Sequence, residues 1–600
     1  MDTLDKPDNL VEFLENSVAK HPDRPMFGTK NPQGVYEWLT YRQIGRRVDD
    51  LRGALAGLGV GRGDAVGIIA NNRTEWAIAA YATYGLGGRF VPMYEAELPR
   101  TWQYIVTDST VKILFVSRPE ILEKVKDFPE KIPTLNKMIL IEGQGPESMV
   151  ASMAALEAAG RERPIPAIHP DPDEIAGLIY TSGTTGEPKG VLLSHGNCTS
   201  NSMAGVHMFP ELTGLDVSLS ILPWAHSYGQ TAELNAMIYI GAAIGFIESV
   251  KTIVQDMALV RPTWLIAVPR VFNRIYNGLQ EKMNEQGGLA RKLFTMGVEA
   301  GKRRRELAAS GRSCFFNELK FKLADRIVFA KIRQKMGGRL KGAMSGSAAM
   351  NVDIAHFFFD VGIPIYDCYG MTETSPAIAM NASFAYRLGS VGRAIDKVRI
   401  VIDSSVVEEG AKDGEIVVYG PNVMKGYHNK PDKTREVMTS DGGVRTGDRG
   451  RLDGDGYLYI TGRIKEQFKL ENGKFVFPAA LEEDISLVPW VQNVMITGEN
   501  RPFTTCLVVP DFPMIERYAE KHGISGDIRQ LVGNEEIQAM MTGEILKVLQ
   551  GRYGGYEIPK KFIYLTEGFT LENGMLTQTM KIKRRVVLEK FKARIDALYA

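Results

Sequence analysis

The 600-residue sequence predicts an α/β protein with largely parallel sheets and a smaller C-terminal unit. Three observations lead there. Helix-like and strand-like segments alternate through the first two thirds: Trp76 to Tyr84 reads as a helix, and Lys112-Ile113-Leu114-Phe115-Val116 as a buried strand. Near residue 460 the pattern changes, where Asp453-Gly454-Asp455-Gly456-Tyr457-Leu458-Tyr459-Ile460-Thr461-Gly462-Arg463 reads as a turn, a short strand and a second turn. The chain beyond that point is long enough for one small domain. A boundary and candidate hinge therefore fall at Arg463–Glu466, giving an N-terminal domain over 1–464 and a C-terminal domain over 465–600.

The charges, 72 Lys+Arg against 71 Asp+Glu, nearly cancel, so no chain-wide basic field exists and general nucleic-acid binding is not expected. Cys198, Cys314, Cys368 and Cys506 are far apart, form no zinc spacing and suit a reducing compartment. Met1 to Lys6 lacks the basic-then-apolar layout of a secretory signal. The longest apolar stretch, Ala236 to Ile247, falls short of the ~20 residues a spanning helix needs. A cytoplasmic enzyme is the expectation.

One segment departs from this balance. Residues 291–341 hold 15 Lys/Arg and four Asp/Glu, a net +11, within a helix-favouring insertion spanning about 278–341. Phe316, Leu319, Leu323 and Ile327 recur at helical spacing. Two readings stand: a surface helix packed on its own domain, or a patch for anionic lipid headgroups that attaches the protein peripherally to the inner face of a membrane.

The densest chemistry is Tyr180-Thr181-Ser182-Gly183-Thr184-Thr185-Gly186-Glu187-Pro188-Lys189-Gly190, set between apolar strands at Ile175–Tyr180 and Val191–Leu193. Its glycines let the backbone turn and aim N–H groups inward. The hydroxyls of Ser182, Thr184 and Thr185 and the charge of Lys189 complete a set suited to a polyphosphate. Pro188 stands where a Walker loop would carry its second glycine.

This loop resembles the phosphate-binding signature of the adenylate-forming superfamily, which includes acyl-CoA synthetases, luciferases and peptide-synthetase adenylation domains. Tyr369-Gly370-Met371-Thr372-Glu373, Arg445-Thr446-Gly447-Asp448 and Gly462-Arg463-Ile464-Lys465 resemble further motifs of that family, in its order. The resemblance implies a large N-terminal domain of doubly wound sheets with a small β-barrel-like part, followed by a small mobile α+β C-terminal domain. It also implies ATP, Mg²⁺ and CoA as reactants and cofactor. By that resemblance Tyr369 covers adenine, Ser345-Gly346-Ser347 forms the opposite wall, and Thr372 donates to a phosphate oxygen. Asp448 takes the ribose hydroxyls with Arg463 nearby, and Glu373 supplies the hard oxygen that Mg²⁺ prefers. Thr181, Thr185, Gly186 and Lys189 belong to the phosphate grip, and Gly370 to the adenine motif.

Leu222-Pro223-Trp224-Ala225-His226-Ser227-Tyr228-Gly229 resembles the family's acyl-pocket segment, with Trp224, His226 and Tyr228 as candidate lining. The Asp that amino-acid-activating relatives place there is absent. Near the C-terminus the adenylation lysine is expected at Lys581, with Lys583 as rival, because Thr577-Gln578-Thr579-Met580 replaces the usual Ser-Gly. That departure resembles the long-chain fatty acyl-CoA synthetase branch, as do Phe468 to Val476 and Val268-Pro269-Arg270-Val271-Phe272. Lys465 is the implied hinge, and Gly473 the implied approach for the pantetheine arm. The implied reaction is fatty-acid activation to acyl-AMP and transfer to CoA. A fatty acyl-AMP ligase serving a carrier protein, and a non-catalytic lipid-binding or scaffold protein, are the alternatives.

Overall fold

Parallel strands require long crossovers, and the helices between the apolar strands supply them. The computed structural model describes residues 7–143, 150–181, 187–408, 410–577 and 580–600. Helix Thr74–Tyr84 links the parallel strands Ala65–Ile69 and Arg89–Met93, and Val111–Val116 pairs on the other side of Ala65–Ile69. The helix and strand expected at 76–84 and 112–116 both form, starting one or two residues earlier.

Two large sheets result. The eight-stranded sheet runs Gly426–Tyr427, Lys189–Ser194, Ile175–Thr181, Arg89–Met93, Ala65–Ile69, Val111–Val116, Lys137–Leu140, Val150–Ser152. The nine-stranded sheet carries Ile365–Gly370, Gly342–Ser345, Trp264–Ala267 and Val217–Ser220 as parallel neighbours near its middle. The helices between them bury a continuous apolar layer. In it Trp76 meets Phe90 edge-on at 5.0 Å and Trp224 at 5.5 Å. Such aromatic pairs contribute about 0.5–1.5 kcal/mol beyond their buried area.

The apolar run from Ala236 divides into a short helix, Ala236–Ile240, a left-handed Gly241 and the strand Ala243–Phe246. Among the described residues no helix is long and apolar enough to cross a membrane. All four cysteines are free thiols, with Cys198, Cys368 and Cys506 buried and Cys314 exposed.

A four-stranded antiparallel sheet, Arg399–Asp403, Gly414–Tyr419, Val444–Leu452 and Leu458–Arg463, forms the third part of the larger region. Its last strand leads into a turn in which the amides of Glu466 and Gln467 both donate to the Arg463 carbonyl. Beyond it come the hairpin Phe468–Lys469/Phe475–Val476 and the sheet Val491–Thr497, Thr505–Pro510, Lys561–Tyr564 with its own helices and core. Charged groups tie this unit to the larger one. Arg552 reaches Asp353 at 3.0 Å and Asp484 at 3.4 Å, and Asn351 donates to Asp484 at 3.4 Å.

The basic segment is the crossover between the parallel strands Trp264–Ala267 and Gly342–Ser345. Its helical excursion begins at Pro269, with helices Pro269–Gln286, Gly288–Ala309, Phe315–Ala324 and Ala330–Lys335 and a π-helical turn at Asp325–Phe329. Phe321, Ala324, Val328 and Phe329 point into the protein. Phe316, Leu319, Leu323 and Ile327 point outward, so the stripe expected at helical spacing exists but is not packed on its own domain.

His195 opens helix His195–His207 and is buried, with the Leu10 amide donating to Nδ1 at 3.3 Å. That bond requires an unprotonated Nδ1, and burial lowers the pKa from 6.5 to about 4. The unfolded chain therefore binds more protons between these values, so stability is full above pH 6.5 and declines as pH falls toward 4. Through this group the loss is on the order of 3 kcal/mol. Denaturant unfolding from pH 7 to 4 should show that decline in the native protein and a flatter profile in His195→Gln; parallel profiles would contradict it.

Candidate active site

Several elements feeding the candidate site deliver their residues from the carboxyl end of a strand, where open α/β sheets leave a crevice. Ile175–Thr181 ends at the glycine- and threonine-rich loop, Val217–Ser220 leads to Leu222–Tyr228, and Gly342–Ser345 leads to Gly346 and Ser347. Ile365–Gly370 ends at the Tyr-Gly motif, and Leu458–Arg463 at the junction.

The phosphate-loop candidates sit on an antiparallel hairpin in which Thr181 pairs with Lys189 and Tyr180 with Gly190. Ser182, Gly183, Thr184, Thr185 and Gly186 lie outside the described residues. Lys189 is half-buried, and its ammonium stands 4.9 Å from the centre of the Tyr427 ring. Burial lowers its pKa, the Glu373 carboxylate opposes that, and Lys465 adds to the lowering.

Glu373 lies in the short 3₁₀ turn Thr372–Thr374 and is largely buried. The Tyr427 hydroxyl donates to its Oε1 at 2.7 Å, and the Thr372 hydroxyl lies 3.2 Å from that of Ser227. Helix His195–His207 holds the surrounding segments in register. Asn197 donates to the carbonyls of Pro421 and Val423, and Asn201 to those of Thr374 and Ala377. Gly370 is required sterically, because a Cβ there would come within 1.9 Å of the Pro376 carbonyl oxygen.

Asp448 is buried and accepts from the Tyr369 hydroxyl at 2.7 Å and from Arg463 at 2.8 Å. Tyr369, Asp448 and Arg463 are thus one connected group. Gly346 packs against Cys368 and Tyr228, and Ser347 adopts a left-handed φ of +70°. His226 accepts the Tyr228 amide at Nδ1 at 3.2 Å, and its pKa falls to about 4 through burial and then through the charge of Lys581. Trp224 is fully buried, and its indole N–H donates to Glu233 at 3.0 Å, so it packs as a core side chain behind His226 and Tyr228.

The two candidate lysines occupy different electrostatic surroundings. Lys581 is exposed at the surface but crowded by protein: desolvation and Arg463 lower its pKa while Asp448, Glu466 and Glu373 raise it. Lys583 acts on Glu97 instead. Gly473 closes the Phe468–Val476 hairpin at φ +84°, which by itself calls for glycine. Lys465 is exposed on the junction turn.

Three groups here have no local signature in the sequence. Tyr427 reaches Glu373 from a two-residue strand paired beside Lys189–Ser194. Asp367, two residues before Tyr369, is buried with its Oδ1 unpartnered, and burial pushes its pKa up to about 8. Glu483, from helix Pro478–Ser486 of the C-terminal unit, is likewise raised to about 8 by burial, with Asp367 adding to the effect. The signal that would have revealed Asp367 is its place between apolar residues of the strand that leads into a recognised motif.

A cleft of this construction, built from strand-end loops under a small C-terminal unit, is that of the AMP-binding enzymes. Residues 14–428 match the AMP-binding enzyme family and 465–550 match its C-terminal domain, and the chain belongs to that family. Within the family its similarity runs to the long-chain acyl-CoA synthetases. It is 32% identical to Long chain acyl-CoA synthetase 6, peroxisomal, of Arabidopsis thaliana, over 99% of this chain and 87% of that protein. It is 29% identical to Long-chain-fatty-acid--CoA ligase 5 of Rattus norvegicus, over 98% and 88%. The fold is also that of the adenylation domain of a carboxylate reductase from Mycobacterium chelonae, with a TM-score of 0.79 and 23% identity over 98% of this chain and 91% of that one.

Proposed function

We propose that this protein activates a long-chain fatty acid at the expense of ATP and passes the acyl group to CoA. The carboxylate oxygen bonds to the α-phosphorus as the bridge to the β-phosphate breaks, and pyrophosphate leaves with that electron pair. The CoA thiolate then attacks the acyl carbonyl, forming the thioester and releasing AMP. The observation that carries this reading is the convergence of Lys581, from the C-terminal unit, with Glu373, Asp448 and Arg463 of the larger one.

Two anions must meet in the first step. A pair of unit charges 4 Å apart repel by about 1 kcal/mol in water and about 4 kcal/mol at an effective dielectric of 20. Lys581 offsets this at the acyl and α-phosphate oxygens, and Lys189 at the departing pyrophosphate. The backbone and hydroxyls of Thr181 to Gly186, Thr185 included, grip the triphosphate. Tyr369, Gly370, Gly346 and Ser347 enclose adenine, Thr372 donates to phosphate, and Asp448 with Arg463 holds the ribose. His226 and Tyr228 border the carboxylate in front of Trp224. The neutral imidazole of His226 adds no charge there at pH 7.

Among the described residues no group of three or more His, Cys, Asp or Glu side chains gathers to hold a metal. Mg²⁺ takes only one or two protein carboxylates and otherwise uses phosphate and water, so the single carboxylate of Glu373 fits it. When bound, the ion neutralises phosphate charge.

The second step needs the thiol where Lys581 stood, so the C-terminal unit, residues 465–600, turns about Lys465 and presents Gly473 to the pantetheine arm. The setting is cytoplasmic, with peripheral attachment to the inner face of a membrane. Its support is the free cysteines and the basic crossover.

Purified protein given ATP, Mg²⁺ and CoA should release pyrophosphate with acids toward oleate far faster than with acetate, with acyl-CoA as product. No acid-dependent release across the series would overturn the assignment. Acyl-AMP accumulating in the presence of CoA would redirect it to a fatty acyl-AMP ligase.

A further inference from the structure

We propose that the outward face of helix Phe315–Ala324 and the π-helical turn after it is the surface by which the protein docks on an anionic lipid bilayer, with Phe315, Phe316, Leu319 and Leu323 entering the headgroup–acyl boundary. This rests on the peripheral attachment proposed above and names the residues that make it.

The face is apolar and open. Exposure runs from 77% at Phe315 and 74% at Phe316, through Leu319 and Leu323, to 37% at Ile327. Phe315 and Phe316 pack edge to face on one another at 5.9 Å, forming one protruding aromatic pair. The same helix has a separate inward set, Phe321 and Ala324, continued by Val328 and Phe329. The outward residues are therefore surplus to the helix's own anchoring. A helix apolar on two sides is otherwise a solubility liability.

Charge selects the occupant. Lys320, Lys322, Arg326 and Lys331 are exposed on this helix and the turns after it. None has an ion-pair partner among the described residues. Cations facing the protein are used internally: Arg304 pairs with Glu318 at 3.0 Å and covers the Phe321 ring, Arg305 pairs with Asp360, and Arg333 pairs with Asp325 at 2.6 Å. A large apolar stripe bordered by unpaired lysines matches anionic headgroups over hydrocarbon, where the lysine stems lie along the acyl boundary and their ammonium groups reach phosphate. A second copy is a poorer occupant. Two-fold packing of the patch on itself would oppose like-charged borders across the contact.

The location has a mechanical consequence. The crossover that carries this face returns as the strand Gly342–Ser345, whose end is the Gly346–Ser347 wall of the candidate site. Docking here brings the bilayer, in which a long-chain acid is dissolved, to the same domain that holds the nucleotide.

The test is flotation of the full-length protein with vesicles of phosphatidylcholine alone and of phosphatidylcholine containing about one-third phosphatidylglycerol. Two variants accompany it: Phe315→Ser/Phe316→Ser/Leu319→Ser and Lys320→Gln/Lys322→Gln/Arg326→Gln/Lys331→Gln. All these side chains are partly or fully exposed, so the fold is retained. The native protein should bind the anionic vesicles, losing affinity with added salt, and each variant should bind at least about tenfold more weakly. Pyrophosphate release with a soluble medium-chain acid should be unchanged in both. Equal binding by all three proteins, equal binding to both vesicle types, or no vesicle binding with a dimer that the Phe/Leu variant dissolves would each overturn the docking surface. Vesicle binding as expected without any acid activation would overturn the ligase assignment alone.

Discussion

Replacing Lys581 by alanine is expected to lower acid-dependent pyrophosphate exchange by on the order of 10²–10³, the usual cost of removing one pre-aimed donor from developing charge. The charges around Lys581 explain the size. Its ammonium is offset by Asp448, Glu466 and Glu373 at once, with Arg463 as the opposing neighbour. Lys583 stands two residues on and acts on Glu97, so Lys583→Ala should leave exchange within a few-fold of native. Thioester formation from supplied acyl-adenylate should survive in Lys581→Ala, because that half-reaction has already passed the meeting of two anions. Native exchange in Lys581→Ala together with loss in Lys583→Ala would assign the role to the other lysine.

The second large effect concerns the turn between the two units. Proline fixes φ near −65° and restricts the residue before it to extended conformations. At Lys465 it costs no backbone bond that the described residues make: the amides of Ile464, Glu466 and Gln467 are bonded to Gly447 and Arg463, and that of Lys465 donates to none of them. Lys465→Pro should therefore retain adenylation and lose thioester formation by at least about tenfold, since only the second half requires the turn to change. Separate assays of the two halves decide the matter. Equal loss in both would remove Lys465 as the pivot.

How much of this could be read from the chain varies with how local each feature is. The hairpin around Tyr180–Gly190 was legible because strand, turn and strand are contiguous and their residue types are unusual. The Tyr369–Glu373 motif was legible for the same reason. Tyr427 was not, because its contact with Glu373 depends on a two-residue strand pairing across more than two hundred positions. Asp367 was hidden in an apolar strand, where a carboxylate carries no periodic signal. The helix at Phe315 shows a different limit. Its spacing was read correctly, but a helix with apolar residues on both sides offers two candidate inner faces. The choice fell to Phe321 and Ala324, which meet the preceding long helix and the π-helical turn rather than solvent.

Arg552 gives the seam between the two units a character of its own. Its guanidinium holds Asp353 on one side and Asp484 on the other, in partly solvated surroundings. A latch of that kind is cheap to undo, because counter-ions compete for partly solvated ion pairs. The turning proposed for the C-terminal unit would have this fastening to release and remake, and added salt should ease its release.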